Sequence, residues 1–253
     1  DQLGAVLGPL AAYLLLPYFT ASMGEEQAYR TVFWISFLPA ILAVIVLFFV
    51  REKALATAAA SGKKQALTAA LGGDYKRFLM VTLVFAFGVF SYSFLILRAQ
   101  EVGVAVTMIP LLYLCFNVSY MAFAMPFGRS SDKFGRMRIL AVGYLLFIIM
   151  CAGLIKATTA FHIWLLFMLY GVFMAIMETV QRAYITDVVS PEVRGTALGL
   201  HQGASGIAAL PANLIAGLLW SVYGSAAAFT YAILVSTVAI ILLFALVREK
   251  RKA

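Results

Sequence analysis

The sequence predicts an all-α integral membrane protein, a bundle of eight transmembrane helices, and three observations carry that prediction. Of its 253 residues, 64% are apolar and 12% charged, against roughly 45–50% and 25% in an ordinary soluble domain. The apolar residues gather in blocks of about bilayer-spanning length. None of the blocks alternates with a two-residue period, which excludes barrel strands, while disorder, coiled coil and a disulfide scaffold fail on composition. The two cysteines, Cys115 and Cys151, both lie inside apolar blocks and report nothing on redox compartment.

The first block, Leu3 to Phe19, and the second, Val32 to Val50, flank a polar turn around Gly24-Glu25-Glu26-Gln27. The third, Phe78 to Leu97, is entered through Lys76-Arg77 and left through Arg98. The fourth runs from Met108 to Phe127 and stops at Gly128-Arg129. The fifth, Ile139 to Ile155, lies between Arg138 and Lys156. The sixth, Ile163 to Ile185, carries Glu178, Gln181 and Arg182 near one end. The seventh is Thr196 to Val222, and the eighth, Ala226 to Val247, ends in a basic tail. The longest polar stretch, residues 51–77, contains Ala, Gly and Lys and reads as a connector between two bundles.

Basic residues collect on the cytoplasmic side of a membrane, and their split is lopsided. Fifteen fall on one side: Arg51, Lys53, Lys63, Lys64, Lys76, Arg77, Arg129, Lys133, Arg136, Arg138, Arg194, Arg248, Lys250, Arg251 and Lys252. Arg30, Arg98 and Lys156 fall on the other. Both ends are therefore expected in the cytoplasm, in a bacterial inner membrane. The net charge of +8 follows from topology and calls for no nucleic-acid partner.

The first helix pair resembles the last. Gly4, Gly8 and Pro9 in the first block answer to Gly206 and Pro211 in the seventh, with Gly4 and Gly206 offset by 202 residues and Val50-Arg51-Glu52-Lys53 offset by 197 from Val247-Arg248-Glu249-Lys250. The five-residue difference is expected in the turn around Gly24. A parallel repeat with a period of six helices follows, of the kind seen in transporters. Residues 1–50 are then the last two helices of an N-terminal six-helix bundle, 51–77 a cytoplasmic linker, and 78–253 a complete C-terminal six-helix bundle with a cytoplasmic tail. Four helices of the same protein are expected upstream, since the chain opens at Asp1-Gln2-Leu3 without an initiator Met.

Between the fourth and fifth blocks stands Gly128-Arg129-Ser130-Ser131-Asp132-Lys133-Phe134-Gly135-Arg136-Met137-Arg138. This resembles the signature loop of the major facilitator superfamily, G-x-x-x-D-R/K-x-G-R-x-R/K. Gly4 to Pro9 looks like the tail of the family's fifth-helix Gly-Pro motif, with Ala12 and Tyr13 where its closing Gly pair would stand. Asp187 through Pro191-Glu192, Arg194-Gly195 and Gly199 resembles a further superfamily connection. The resemblance covers the whole chain and implies a major-facilitator-like bundle working by alternating access. It also implies that Gly128, Asp132, Lys133, Gly135, Arg136 and Arg138 form a cytoplasmic latch. Physically, Asp132 at the start of a cytoplasmic helix would accept from helix amides and pair with a guanidinium, while the glycines permit tight turns.

Inside the blocks, polar residues mark candidate sites. Tyr113, Asn117 and Tyr120 fall at i, i+4, i+7 on one face of the fourth helix, and Tyr170, Met174 and Glu178 show a similar spacing on the sixth. Ser91 and Tyr92 occupy the outer half of the third. Such faces point away from lipid, and either helix packing or a midplane cavity uses them. We assign Ser91, Tyr92, Tyr113, Asn117, Tyr120, Tyr170 and Met174 as candidate solute contacts. Glu178 and Arg182, at i, i+4, can pair, and as intramembrane ionisable groups they are candidates for proton coupling or a gate. Arg98 is expected to snorkel at the outer surface. Gly4, Gly8, Pro9, Gly206 and Pro211 are expected to serve close helix packing.

The functional expectation is a secondary transporter for a small solute, with proton-coupled efflux as one form. Two alternatives from other classes stand beside it. His201 and Ser205 lie four residues apart within a G-x-S-G setting, which superficially suits an intramembrane serine protease, although such a pair needs hydrogen-bond reach. A non-transporting sensor or scaffold is the other. No metal-ligating cluster, phosphate-binding loop or catalytic carboxylate pair is visible, so neither metal nor cofactor is expected.

Overall fold

The computed structural model describes residues 2–49 and 71–247. The basic tail and most of the connector expected over 51–77 lie outside the described residues, as does the Val50-Arg51-Glu52-Lys53 marker of the repeat. Among the described residues every regular element is helical: α1 (Gln2–Met23), α2 (Glu25–Phe49), α3 (Gly73–Gly88), α4 (Tyr92–Glu101), α5 (Ile109–Phe134), α6 (Arg136–Lys156), α7 (Ala160–Val188), α8 (Arg194–Tyr223) and α9 (Ser225–Leu246), with short 3₁₀ turns at Val106–Met108 and Pro191–Val193. Seven helical spans are long and apolar enough to cross a membrane, with α3 and α4 counted as one. The apolar part of α1, Leu7–Met23, is shorter but near the lower limit for spanning. The chain divides into two compact units, one on each side of residue 64.

In the first unit α1 packs on α2 through a turn of one residue. Gly24 sits at φ +85°, a conformation that costs glycine nothing and any side chain much. The longer loop expected at Gly24-Glu25-Glu26-Gln27 is therefore absent: α2 begins at Glu25, and Glu26 already pairs with Arg30 at 2.8 Å. Gly224, at φ +87°, makes the same one-residue turn between α8 and α9. The two turns are 200 residues apart, between the two offsets in the sequence repeat, so the length difference is spread along the helices. A side chain added at Gly4, Gly8 or Gly206 would meet nothing within 4 Å. The close packing expected at those glycines is not made inside either unit, and Pro9 and Pro211 sit within the helices α1 and α8.

In the second unit α5 packs on α7, α6 on both α7 and α9, and α9 on α3 and α8. Aromatic side chains fill the centre. The Phe85 ring stacks on Tyr144 at 3.8 Å, Phe147 meets Phe173 at 4.9 Å, and Phe90 meets Phe229 at 5.4 Å. Gly171 is where α5 and α7 come closest, since a Cβ there would lie 2.4 Å from the Phe116 carbonyl oxygen and 2.7 Å from Ser119 Cβ.

The third apolar block is two helices rather than one. α3 ends at Gly88, Val89 is extended, and Ser91 caps α4 by accepting from the Ser93 amide. Serine followed by a fresh helical run is a start signal, here overridden in the sequence pattern by continuous hydropathy. A break inside an apolar span leaves amides that need partners. The Ser91 N–H donates to Asn213 Oδ1 at 2.8 Å, and Tyr231 donates its hydroxyl to the Phe87 carbonyl at 3.1 Å.

Arg98 does not snorkel. Its side chain is 17% exposed and donates to the Leu154 and Ala157 carbonyls at 3.0 Å, at the carboxyl end of α6, and to Glu101 at 2.8 Å. It also reaches Ser225 Oγ, the first residue of α9, at 3.4 Å. A cation on orphan carbonyls satisfies both the acceptors and the helix dipole. Arg98→Ala should lower stability by about 2 kcal/mol, read as an earlier thermal transition in detergent. Lysine should not restore it, lacking the planar fork.

Candidate functional site

Three side-chain groups lie in the second unit. The first is centred on Arg136. α5 continues as helix through Gly128–Phe134, so the expected loop shrinks to Gly135 at φ +99°, and α6 starts at Arg136. Asp132 thus ends a helix instead of beginning one. There the dipole disfavours a carboxylate, and Arg136 supplies the compensating charge. Its guanidinium, 16% exposed, donates to Asp132, to Ser131 Oγ, and at 3.0 Å to Asp187 in the last turn of α7. Three helix ends are joined by one residue. Gly128 lies against α7, where a Cβ would come 3.2 Å from Thr179 Cγ2. Lys133 sits over the Phe134 ring at 5.4 Å, and both Lys133 and Arg138 are exposed.

The second group is aromatic and joins α4, α5 and α7. Tyr92 and Tyr113 meet at 5.6 Å, Tyr113 and Phe116 at 5.4 Å, and Phe116 stacks on Tyr170 at 5.2 Å. Tyr120 touches the same Phe116 ring at 6.5 Å. Asn117 is buried and donates its amide to the Tyr113 carbonyl one turn back, so that donor is spent within α5. Met174 packs against the core, and Ser91 serves the helix break described above. The tyrosines therefore come together, while Ser91 and Met174 have structural uses.

The third group lies between α7 and α8, where Met177, Glu178, Gln181, Arg182, Leu198, His201, Gln202 and Ser205 line a cavity of about 230 Å³. Arg182 donates to Glu178 at 2.7 Å, but the two side chains are 59% and 37% exposed. The burial expected for Glu178 is not found, because the pair lies at the mouth of the cavity. His201 is 9% exposed, and its Nε2 has no hydrogen-bond partner. Ser205 therefore does not reach it, and the nucleophile and base of the protease alternative are not joined.

A family model described as the Major Facilitator Superfamily matches residues 78–253. The chain belongs to the Major Facilitator Superfamily. An uncharacterized MFS-type transporter of Methanocaldococcus jannaschii is 34% identical over 233 residues, covering 88% of this chain and 56% of that protein. The chain thus spans little more than half the length of that curated relative.

Within this superfamily member, three positioning residues are not among those the sequence singles out, and one of them carries no mark in its pattern. Phe116, the ring that gathers three tyrosines, is one of 20 phenylalanines and nothing in its spacing singles it out. Asn213 did carry a signal, being an amide inside an apolar block, where polar groups bridge helices. Gly171 is a small residue in a long apolar helix, the usual sign of close helix approach.

Proposed function

We propose that the full-length protein is a non-enzymatic transporter that moves a small organic solute across the membrane by alternating access. The observation that carries this reading is the Arg136 node. One arginine holds three helix ends through ion pairs whose acid partners, Asp132 and Asp187, remain open to water. Such pairs contribute little net stability and exchange readily for hydration, as a latch that must open repeatedly requires. The aromatic face of Tyr92, Tyr113 and Tyr120, backed by the buried Tyr170, is the solute-facing surface. Stacked tyrosines favour flat amphipathic or cationic molecules through the electron-rich ring faces. Glu178 and Arg182, paired at a cavity mouth, act as a gate.

The Arg136 end faces the cytoplasm and the Arg98 end the opposite side, following the positive-inside rule. Cysteines placed at Lys133 and Thr158, both exposed, should therefore label from opposite sides of sealed vesicles. Labelling of both from one side would overturn the topology. The transport reading is tested by solute exchange in vesicles holding the full-length protein, screened with cationic and neutral aromatic compounds. Exchange that Tyr113→Ala weakens supports it, whereas a protein that inserts but moves none of them would favour the sensor or scaffold alternative.

A further inference from the structure

We propose that the aromatic face of α4, α5 and α7 binds a protonated aryl-alkyl amine, whose N–H groups are received by Asn117 Oδ1 and the surrounding phenol oxygens. As a transported solute the amine rests on the transporter reading above; as a ligand of this site it stands by itself.

Two hydrogen-bond accounts are left open inside this apolar bundle. Asn117 and Tyr170 are each 6% exposed. The amide nitrogen of Asn117 is fixed by its donation to the Tyr113 carbonyl at 2.8 Å. A carbonyl only accepts, so that bond also settles which side of the amide is oxygen. Among the described residues nothing donates to Asn117 Oδ1, and the atom is not sealed from open space. The same holds for the Tyr170 hydroxyl. Buried polar groups are normally hydrogen-bonded, and two exceptions on helices packed against each other, both with the free atom open, point to a ligand.

The geometry gathers them. Phe116, next to Asn117 in the chain, stacks on Tyr170 at 5.2 Å and meets Tyr113 at 5.4 Å, and Tyr113 meets Tyr92 at 5.6 Å. The Tyr92 and Tyr113 hydroxyls lie close enough to that of Tyr170 to act on its charge, so three phenol oxygens come to one place. Tyr113, Asn117 and Tyr120 share a face of α5. Among the described residues, none of the four tyrosine hydroxyls has a hydrogen-bond partner.

Chemistry then selects the ligand. Oδ1 can only accept, and each phenol can turn its hydrogen aside to present a lone pair. Residues 92–97, 109–128 and 160–177, which carry the face, contain no Lys, Arg, Asp or Glu. An anion would meet negative ring faces and oxygen lone pairs without a counter-charge from these stretches. A primary or secondary ammonium is favoured on each count. Its charge lies over electron-rich rings, its N–H groups meet the free oxygens, and its aryl group can stack on the exposed ring of Tyr92. A quaternary ammonium brings the charge but no donor, and an alcohol brings one donor but no charge.

The test is equilibrium binding of radiolabelled 2-phenylethylamine to the full-length protein in lipid nanodiscs at neutral pH, with its trimethylammonium analogue, 2-phenylethanol and 3-phenylpropanoate as competitors. The amine should bind roughly tenfold more tightly than the first two, the worth of one hydrogen bond to a charged group, and the carboxylate should not compete. Asn117→Leu should abolish the preference for the amine over its trimethylammonium analogue while the analogue still binds. Tyr92→Phe removes only a hydroxyl at an exposed position and should narrow the same preference about threefold, which keeps the test decisive if Asn117→Leu fails to fold. Equal affinity for the amine and its trimethylammonium analogue, displacement by the carboxylate, or a preference that neither substitution moves would overturn the proposal. So would a protein that exchanges other solutes across vesicles and binds none of these, a result that leaves the transporter reading intact. Amine binding as described, in a protein that exchanges no solute, would keep the site and sink the transporter reading.

Discussion

Gly171→Leu should leave no stable bundle, and Gly171→Ala should already cost about 3 kcal/mol, the upper range for an overpacked core position. The reason is geometric. Even a methyl group at this position lies 2.4 Å from the Phe116 carbonyl oxygen and 3.0 Å from the Tyr120 amide nitrogen. Those atoms belong to the backbone of α5 and cannot rotate away as a side chain would. Relief requires the two helices to separate, which would also pull Phe116 from Tyr170. The internal control is Gly217→Ala in α8, where the added Cβ meets only Phe94 Cζ at 3.9 Å. There the usual gain from replacing a helical glycine, about 0.5 kcal/mol, should appear instead. Thermal unfolding of both variants in detergent checks the contrast, and equal behaviour would show that α5 and α7 do not cross at Gly171.

Arg136→Ala should reduce solute flux by roughly thirtyfold, equivalent to about 2 kcal/mol of coupling between latch and transport. Removing the guanidinium strips partners from Asp132, Ser131 and Asp187 together. It also leaves two carboxylates facing each other at the negative ends of α5 and α7, where both dipoles disfavour them. Asp132→Asn and Asp187→Asn each spare one ion pair, so each should lose less than Arg136→Ala. Lysine at 136 should recover only part of the flux, because a single ammonium cannot reproduce the fork that spans two acids. Vesicle flux normalised to inserted protein measures this. Flux indifferent to all four substitutions would remove the latch.

Much of this architecture was legible because hydropathy over some twenty residues is a strong physical constraint. The blocks beginning at Ile139, Ile163, Thr196 and Ala226 each correspond to one helix. Hydropathy says little about where the backbone ladder is interrupted, which is why Phe78 to Leu97 read as one helix although Ser91 offers a cap. The opposite error occurs at Gly128–Phe134. Charged and glycine residues suggested a loop, yet with Arg136 neutralising Asp132 the helix continues to Gly135. The charges of Glu178 and Arg98 were visible in the sequence, but their burial was not. Burial depends on which helix ends stand nearby, so Glu178 came to a cavity mouth and Arg98 to the carbonyls of α6. The three tyrosine positions were found through periodicity, whereas Phe116, which holds them together, is an ordinary apolar residue by every sequence criterion.

The break between Gly88 and Tyr92 also has a mechanical meaning. A continuous helix resists bending because each turn is bonded to the next, and this span lacks that bracing at one depth. Asn213 and Tyr231, from two other helices, hold the gap by single hydrogen bonds, while Val235 of α9 lies 3.0 Å from where a Gly88 side chain would begin. Bending compliance is concentrated there. The short segment beyond it, α4, is a lever pinned at its far end by Arg98 and carrying Tyr92 at its near end, beside the joint. Any tilt of that lever is delivered first to the contact between Tyr92 and Tyr113, so the stiffness of the aromatic face is set by an asparagine more than a hundred residues away in the chain.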